Sequence, residues 1–159
     1  MHKYAFFAVL VTGALLLAQT KKPAVPAPPA QATPAPTPAA TPSKVSGPPH
    51  TTASGVQYWD VVVGKGAEAT KGKTVSVLYV GWLENGKEFS AHDDPDEPLD
   101  LTIGKGQIIG WDEGITGMRV GGTRQLRIPP SAAYGAKGAP PVVPPNARLT
   151  MDVQLLAVK

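Results

Sequence analysis

No cysteine occurs among the 159 residues, which removes disulfides, thiolate metal sites and lipid attachment through cysteine in one step. The same absence is compatible with any cellular compartment. Histidine is nearly as scarce, limited to His2, His50 and His92. No glycine-rich phosphate loop followed by lysine is present, and no serine stands in a nucleophile-elbow context, so hydrolysis of a strong bond has no visible machinery. Long apolar runs are also missing. The longest, from Ala5 to Ala18, holds about 14 residues, suits the hydrophobic region of a secretory signal, and falls short of the roughly 20 needed to span a bilayer.

With Lys3 before that run and polar residues after it, residues 1–20 read as a signal peptide, with cleavage after Ala18, or as a retained N-terminal anchor. The chain is therefore expected to be exported, periplasmic or secreted, or held at a membrane through the uncleaved segment. Residues 21–53 follow as a linker. Ten of the 18 prolines lie between Pro23 and Pro49, and the same stretch offers only Val25 and Val45 as large apolar side chains. Such a composition cannot build a core and favours an extended, polyproline-like tether. At about 3.1 Å per residue, Pro23 to His50 would reach on the order of 80 Å.

Acidic residues are absent from the first 59 positions, where Lys3, Lys21, Lys22 and Lys44 carry all the charge. From Asp60 onward, 15 minus 4 leaves 11 basic residues against 12 acidic ones, a formal charge of minus 1 despite the overall +3. No phosphate-binding stripe follows, and no nucleic-acid partner is expected. The acidic run "HDDPDEPLD", His92 to Asp100, lacks the glycine turn and ligand spacing of a calcium loop and reads as an acidic surface loop; no metal is assigned. No cofactor is implied.

What is present, in residues 54–159, is a succession of short β patterns. "KTVSVLYVGWLENGKEF" contains Asn85-Gly86, the residues of a type I′ turn, so the strand through Leu83 should pair with the segment through Phe89, with Val75, Val77 and Tyr79 on one face. "PLDLTIG" alternates Leu99, Leu101 and Ile103; "TRQLRIPP" turns Leu126 and Ile128 inward, bracketed by Arg124 and Arg127. The last strand sets Leu149, Met151, Val153 and Leu155 against Arg148, Thr150, Asp152 and Gln154, which predicts an antiparallel sheet solvated on one side. Only "IIGWDEGITGMRVGG" has helical spacing, through Trp111, Ile115 and Met118. The fold class is α+β, a sheet with one short helix on its apolar face.

The chemistry-bearing candidates are the aromatic and aliphatic side chains of separate segments: Tyr79, Phe89, Leu99, Trp111, Tyr134 and Met151. By periodicity alone these are core residues as readily as a site. "APPVVPPN" is either a ligand for another domain or a stiff loop walling a pocket.

"VSVLYVGWLENGKEF", "GKGQIIGWDEGITGMRVGG" and "RIPPSAAYGAKGAPPVVPPNARLTMDVQLL" together resemble the successive blocks of the FKBP-type peptidyl-prolyl cis/trans isomerases, over about 100 residues from Gly55 onward. The resemblance implies a curved antiparallel sheet wrapped around a short helix, and an enzyme that turns X–Pro bonds during folding of exported proteins. It implies catalytic positions at Tyr79, Phe89, Trp111 and Tyr134, with Trp111 under the proline ring and Tyr134 as hydroxyl donor. It further implies substrate-binding positions at Leu99, Ile108, Ile109, Val142, Val143 and Met151, the backbone N–H of Ile109 receiving a carbonyl. The partners implied are proline-containing unfolded or flexible polypeptides and macrolide inhibitors of altered affinity; size and the lack of a second apolar patch make a monomer the expectation. A proline-recognising binding or chaperone module with little turnover is the alternative. Four features depart from the family pattern: Ser90 stands for an aspartate, Pro95 for an arginine, Leu99 and Met151 for aromatic walls, and "QIIGW" is one residue short.

Overall fold

A computed structural model of the chain describes residues 41–106 and 108–159. The expectations for residues 1–20 and for the tether up to residue 40 lie outside these residues. Seven strands form one antiparallel sheet: β1 (His50–Thr51), β2 (Gln57–Val62), β3 (Thr74–Leu83), β4 (Glu88–His92), β5 (Leu99–Thr102), β6 (Thr123–Ile128) and β7 (Leu149–Val158). Their spatial order is β1-β2-β6-β7-β3-β4, with β5 also on β3. The sheet curves around one helix, α1 (Ile109–Ile115).

The inner face follows the alternation. Val75, Val77, Leu126, Ile128, Leu149, Met151, Val153 and Leu155 are buried with Ile115 and Met118 in one cluster. Met118 belongs to it from a turn beyond the helix, because Gly117 at φ 82° has already ended α1. Gly110 and Gly114 set how closely the helix lies on β6. A Cβ on Gly110 would stand 2.4 Å from Ile128 Cγ2, and one on Gly114 2.7 Å from Leu126 Cδ1.

Arg124 does not bracket this face from outside. It shares the inward parity of Leu126, is 5% exposed, and donates to the Gly114 and Thr116 carbonyls at 2.8 and 3.2 Å. The last turn of α1 has no basic residue of its own, so this guanidinium supplies the cation that a helix C-terminus favours. Asp60 at 2.6 Å and the Tyr58 ring at 4.1 Å hold it there.

The β3–β4 hairpin forms as expected, but with a different turn. Only Gly86 has positive φ; Asn85 instead accepts the Lys87 N–H on its side chain, and Gly86 N–H donates to the Leu83 carbonyl. A three-residue connection results rather than a type I′ turn. Pairing shifts between Gly81–Ser90 and Trp82–Glu88, leaving Phe89 as the extra residue of a bulge.

The expectation of a solvated outer face is overturned. Leu78, Val80, Trp82, Gln125, Asp152 and Gln154 are all buried. Part of the cover comes from the end of the supposed linker: Ser43 is hydrogen-bonded to Asp152 and Gln125, and β1 pairs with β2. Folded structure thus begins before Ser54. The alternation rule failed here because it equates a polar side chain with solvent, whereas these polar groups find partners within the chain.

Candidate functional site

The site is built where β3, β4, β7 and α1 meet. Tyr79 on β3 and Trp111 on α1 pack edge to face, ring centroids 4.7 Å apart at 81°. The Trp111 indole N–H points to Met151 Sδ at 3.0 Å, fixing the ring against β7. Met151 lies opposite Gly81, whose missing Cβ leaves room for the Phe89 ring; a Cβ there would stand 2.7 Å from Phe89 Cε1. The bulge in β4 and the glycine in β3 therefore act together to lay Phe89 over the sheet.

The Tyr79 hydroxyl is 2.8 Å from Ser90 Oγ, and the Tyr79 ring stacks on His92 at 6.0 Å. Ser90, which replaces a carboxylate of the family pattern, leaves this wall uncharged. Tyr134 precedes a short 3-10 turn (Gly135–Lys137) and is half-buried; burial first, and neighbouring Tyr79 second, push its phenol above the usual tyrosine range. It stays protonated as a donor throughout the physiological range.

The proline-rich segment is a loop closed on itself. Ala139 and Val143 exchange N–H···O=C bonds at 2.9 Å, and the Asn146 N–H donates to the Gly135 carbonyl. The Pro140–Pro141 peptide is cis. This closure buries Val143 in the cluster and turns Val142 outward, 46% exposed.

Of the expected site residues, Tyr79, Ile108, Trp111, Val143 and Met151 are buried together, with Phe89, Leu99 and Tyr134 packed against them. Val142 and Ile109 are not brought in. Ile109 is the first helical residue, 57% exposed, and lines a cavity of about 430 Å³ with Ile103, Asp112 and Glu113. Ile108, extended at φ −123° and buried, occupies the turn into the helix, and its N–H meets no acceptor among the described residues. The shortened "QIIGW" therefore moves the first isoleucine, not the second, into the cluster. Gly81 and His92 were missed by sequence reasoning; the bulge that makes Gly81 matter is invisible until the register is known.

No carboxylate, ammonium or guanidinium belongs to this set, so the arrangement suits non-covalent recognition of an apolar ring with a few hydrogen bonds. A curved antiparallel sheet clasps a short helix, and the aromatic residues at their junction form an uncharged cluster. Residues 65–156 match the family described as FKBP-type peptidyl-prolyl cis-trans isomerase. The chain belongs to this family, whose enzymes accelerate rotation about X–Pro bonds. It is 52% identical to an FK506-binding protein of Neisseria meningitidis serogroup A over 100 residues, 62% of this chain and 92% of that one. It is 48% identical to the 39 kDa FK506-binding nuclear protein of Drosophila melanogaster, covering 69% of this chain and 31% of that one. Among solved structures, AtFKBP13 is similar at 40% identity with TM-score 0.62 over 69% of this chain and 97% of that one. FkpA from Escherichia coli is similar at 42% identity with TM-score 0.64 over 70% and 51%.

Proposed function

We propose that Tyr79, Phe89, Trp111 and Tyr134 form the isomerase site, with Leu99, Ile108, Val143 and Met151 completing its walls, and that the enzyme acts on proline-containing unfolded segments outside the cytoplasm. The observation that supports the site assignment is the convergence of Tyr79, Trp111 and Met151 from three elements into one uncharged cluster.

Rotation about an X–Pro bond is slow because it breaks amide resonance, a barrier of about 18–20 kcal/mol. Resonance also gives the planar amide its charge separation, which water solvates well. A dry recess removes that solvation and favours the twisted amide, whose carbonyl is less polar. Trp111 bears the proline ring, Phe89 and Tyr79 exclude water, and the Ile108 N–H and Tyr134 hydroxyl hold flanking carbonyls. An acceleration of 10⁵ corresponds to about 7 kcal/mol, shared between desolvation and orientation, with no covalent step.

Export is supported by the Ala5–Ala18 run behind Lys3. The polypeptide substrate meets a monomer, and macrolides bind less tightly than to an all-aromatic pocket because Leu99 and Met151 make softer walls.

The test is NMR exchange on a proline peptide with the full chain and its Trp111→Ala variant. We expect catalysis by the parent and a loss of 10²-fold or so, about 2.7 kcal/mol, in the variant. A folded Trp111→Ala chain of undiminished activity would remove Trp111 from the site.

A further inference from the structure

The outer face of the sheet carries a buried carboxylate for which the isomerase recess has no use. Asp152 has no exposed surface and Gln125 almost none. The two are cross-strand neighbours, Gln125 Nε2 donating to Asp152 Oδ1 at 3.0 Å. Together they grip one residue of the tether by its main chain alone. The Ser43 N–H donates to Asp152 Oδ2 at 2.7 Å, and the Ser43 carbonyl accepts from Gln125 Nε2 at 2.7 Å. Further along, the Gly47 carbonyl accepts from the Trp59 indole at 3.0 Å, while the Arg127 guanidinium lies over the Trp59 ring.

Receptor and occupant are unequal. The clamp sits on β6 and β7 and is fixed by its own internal hydrogen bond. The strap from Pro42 to Pro49 offers Val45 as its one large apolar side chain, half-buried, and leaves Lys44, Ser46, Gly47 and Pro48 exposed. Beside it remains a cavity of about 700 Å³, bordered by Val45, Leu83, Arg127, Arg148 and Thr150. A preorganised clamp holding a sparsely attached segment through N–H and C=O groups is a site that reads extended backbone rather than particular side chains. Flanking prolines keep such a backbone extended at small entropic cost.

We propose that this outer face is a second polypeptide-binding site, for extended proline-flanked chains, and that Pro42–Pro49 is a resident ligand which a segment of unfolded client displaces. The two sites lie on opposite faces of one sheet. A client strand held on the outer face raises the local concentration of its neighbouring prolines at the recess, an effect of tethering that needs no new catalytic group. The proposal does not depend on the residue roles assigned to the recess.

The test uses the full chain and two fluorescent peptides: the strap sequence TPSKVSGPPHT (Thr41 to Thr51), and a version with its prolines kept and other residues shuffled. Ser43→Pro removes the N–H that Asp152 accepts and frees the clamp. Anisotropy titration should show both peptides binding Ser43→Pro at least tenfold more tightly than the parent chain. Adding Gln125→Ala should abolish the gain, and adding Trp111→Ala should leave it intact. Trp59→Phe, which deletes only the Gly47 donor, replaces Gln125→Ala if that variant does not fold, and should weaken binding severalfold.

The proposal is overturned by any of four results. Ser43→Pro gains no affinity; the gain disappears with Trp111→Ala, which would place the peptide in the recess; only the strap's own sequence binds, which would make the face a private latch; or the parent forms a concentration-dependent dimer that Ser43→Pro abolishes, which would assign the groove to a second copy.

Discussion

Tyr134 shows how environment sets the role of a single hydroxyl. Burial and its neighbour Tyr79 raise its pKa, so the phenol remains a donor wherever the enzyme operates. Tyr134→Phe should lower kcat/KM by roughly threefold to tenfold, the worth of one neutral hydrogen bond of about 1 kcal/mol. Because the folded value lies above the unfolded one, Tyr134 contributes nothing to the pH dependence of stability below the ordinary tyrosine range of about 10. Above it the unfolded chain ionises first and stability falls as pH rises; denaturant titrations of parent and Tyr134→Phe should diverge only there. A slope at neutral pH removed by the substitution would contradict the assignment. The identity of this tyrosine was legible from "AAYGAKG", but its raised pKa was not, since that depends first on burial in the folded chain and then on Tyr79 from a distant strand.

The helix is the element on which the site turns, since Trp111 rides on it, and it is only seven residues long. A helix this short has little stability of its own. It is held from β6 by Arg124 at its C-terminal carbonyls and from the loop between β1 and β2 by Ser54, whose hydroxyl donates to the Glu113 carboxylate at 2.7 Å. Hydrogen bonds from Thr52 first and then Ser54 hold Glu113 below the usual glutamate range. Its contribution is therefore full above about pH 4.5 and fades as pH falls through the lowered folded value. Glu113→Gln should lower stability at neutral pH by on the order of 1 kcal/mol or less, and by a shrinking amount as pH falls through the lowered folded value, read from paired thermal melts. Equal melting of the two chains at every pH would remove this tie. The helix itself was legible from Trp111 and Ile115, but its two restraints were not, because one comes from an arginine read as bracketing the inner face and the other from Ser54, which belongs to no periodic pattern.

For the whole molecule, the inner face was readable and the outer face was not. Leu149, Met151, Val153 and Leu155 announced the core by alternation, and every one is fully or almost fully buried. Asp152 announced solvent and is buried as well, because its partner Ser43 sits in a segment too poor in apolar residues to read as structure. In "QIIGW" the resemblance implied both isoleucines, and the fold buries Ile108 in the cluster while Ile109 is exposed. The export proposal makes its own prediction: in an envelope fraction the protein should be found without residues 1–18 if the signal is cleaved, or membrane-bound at full mass if it is retained. Recovery only from the cytoplasm would reject both. The strap carries one more consequence, in time rather than space. Ser43 and Asp152 are 109 positions apart, so a chain delivered in order from its N-terminus presents the strap long before the clamp exists. Until β7 has emerged and slotted between β6 and β3, the strap has nothing to bind, and its docking marks the moment when the sheet is complete.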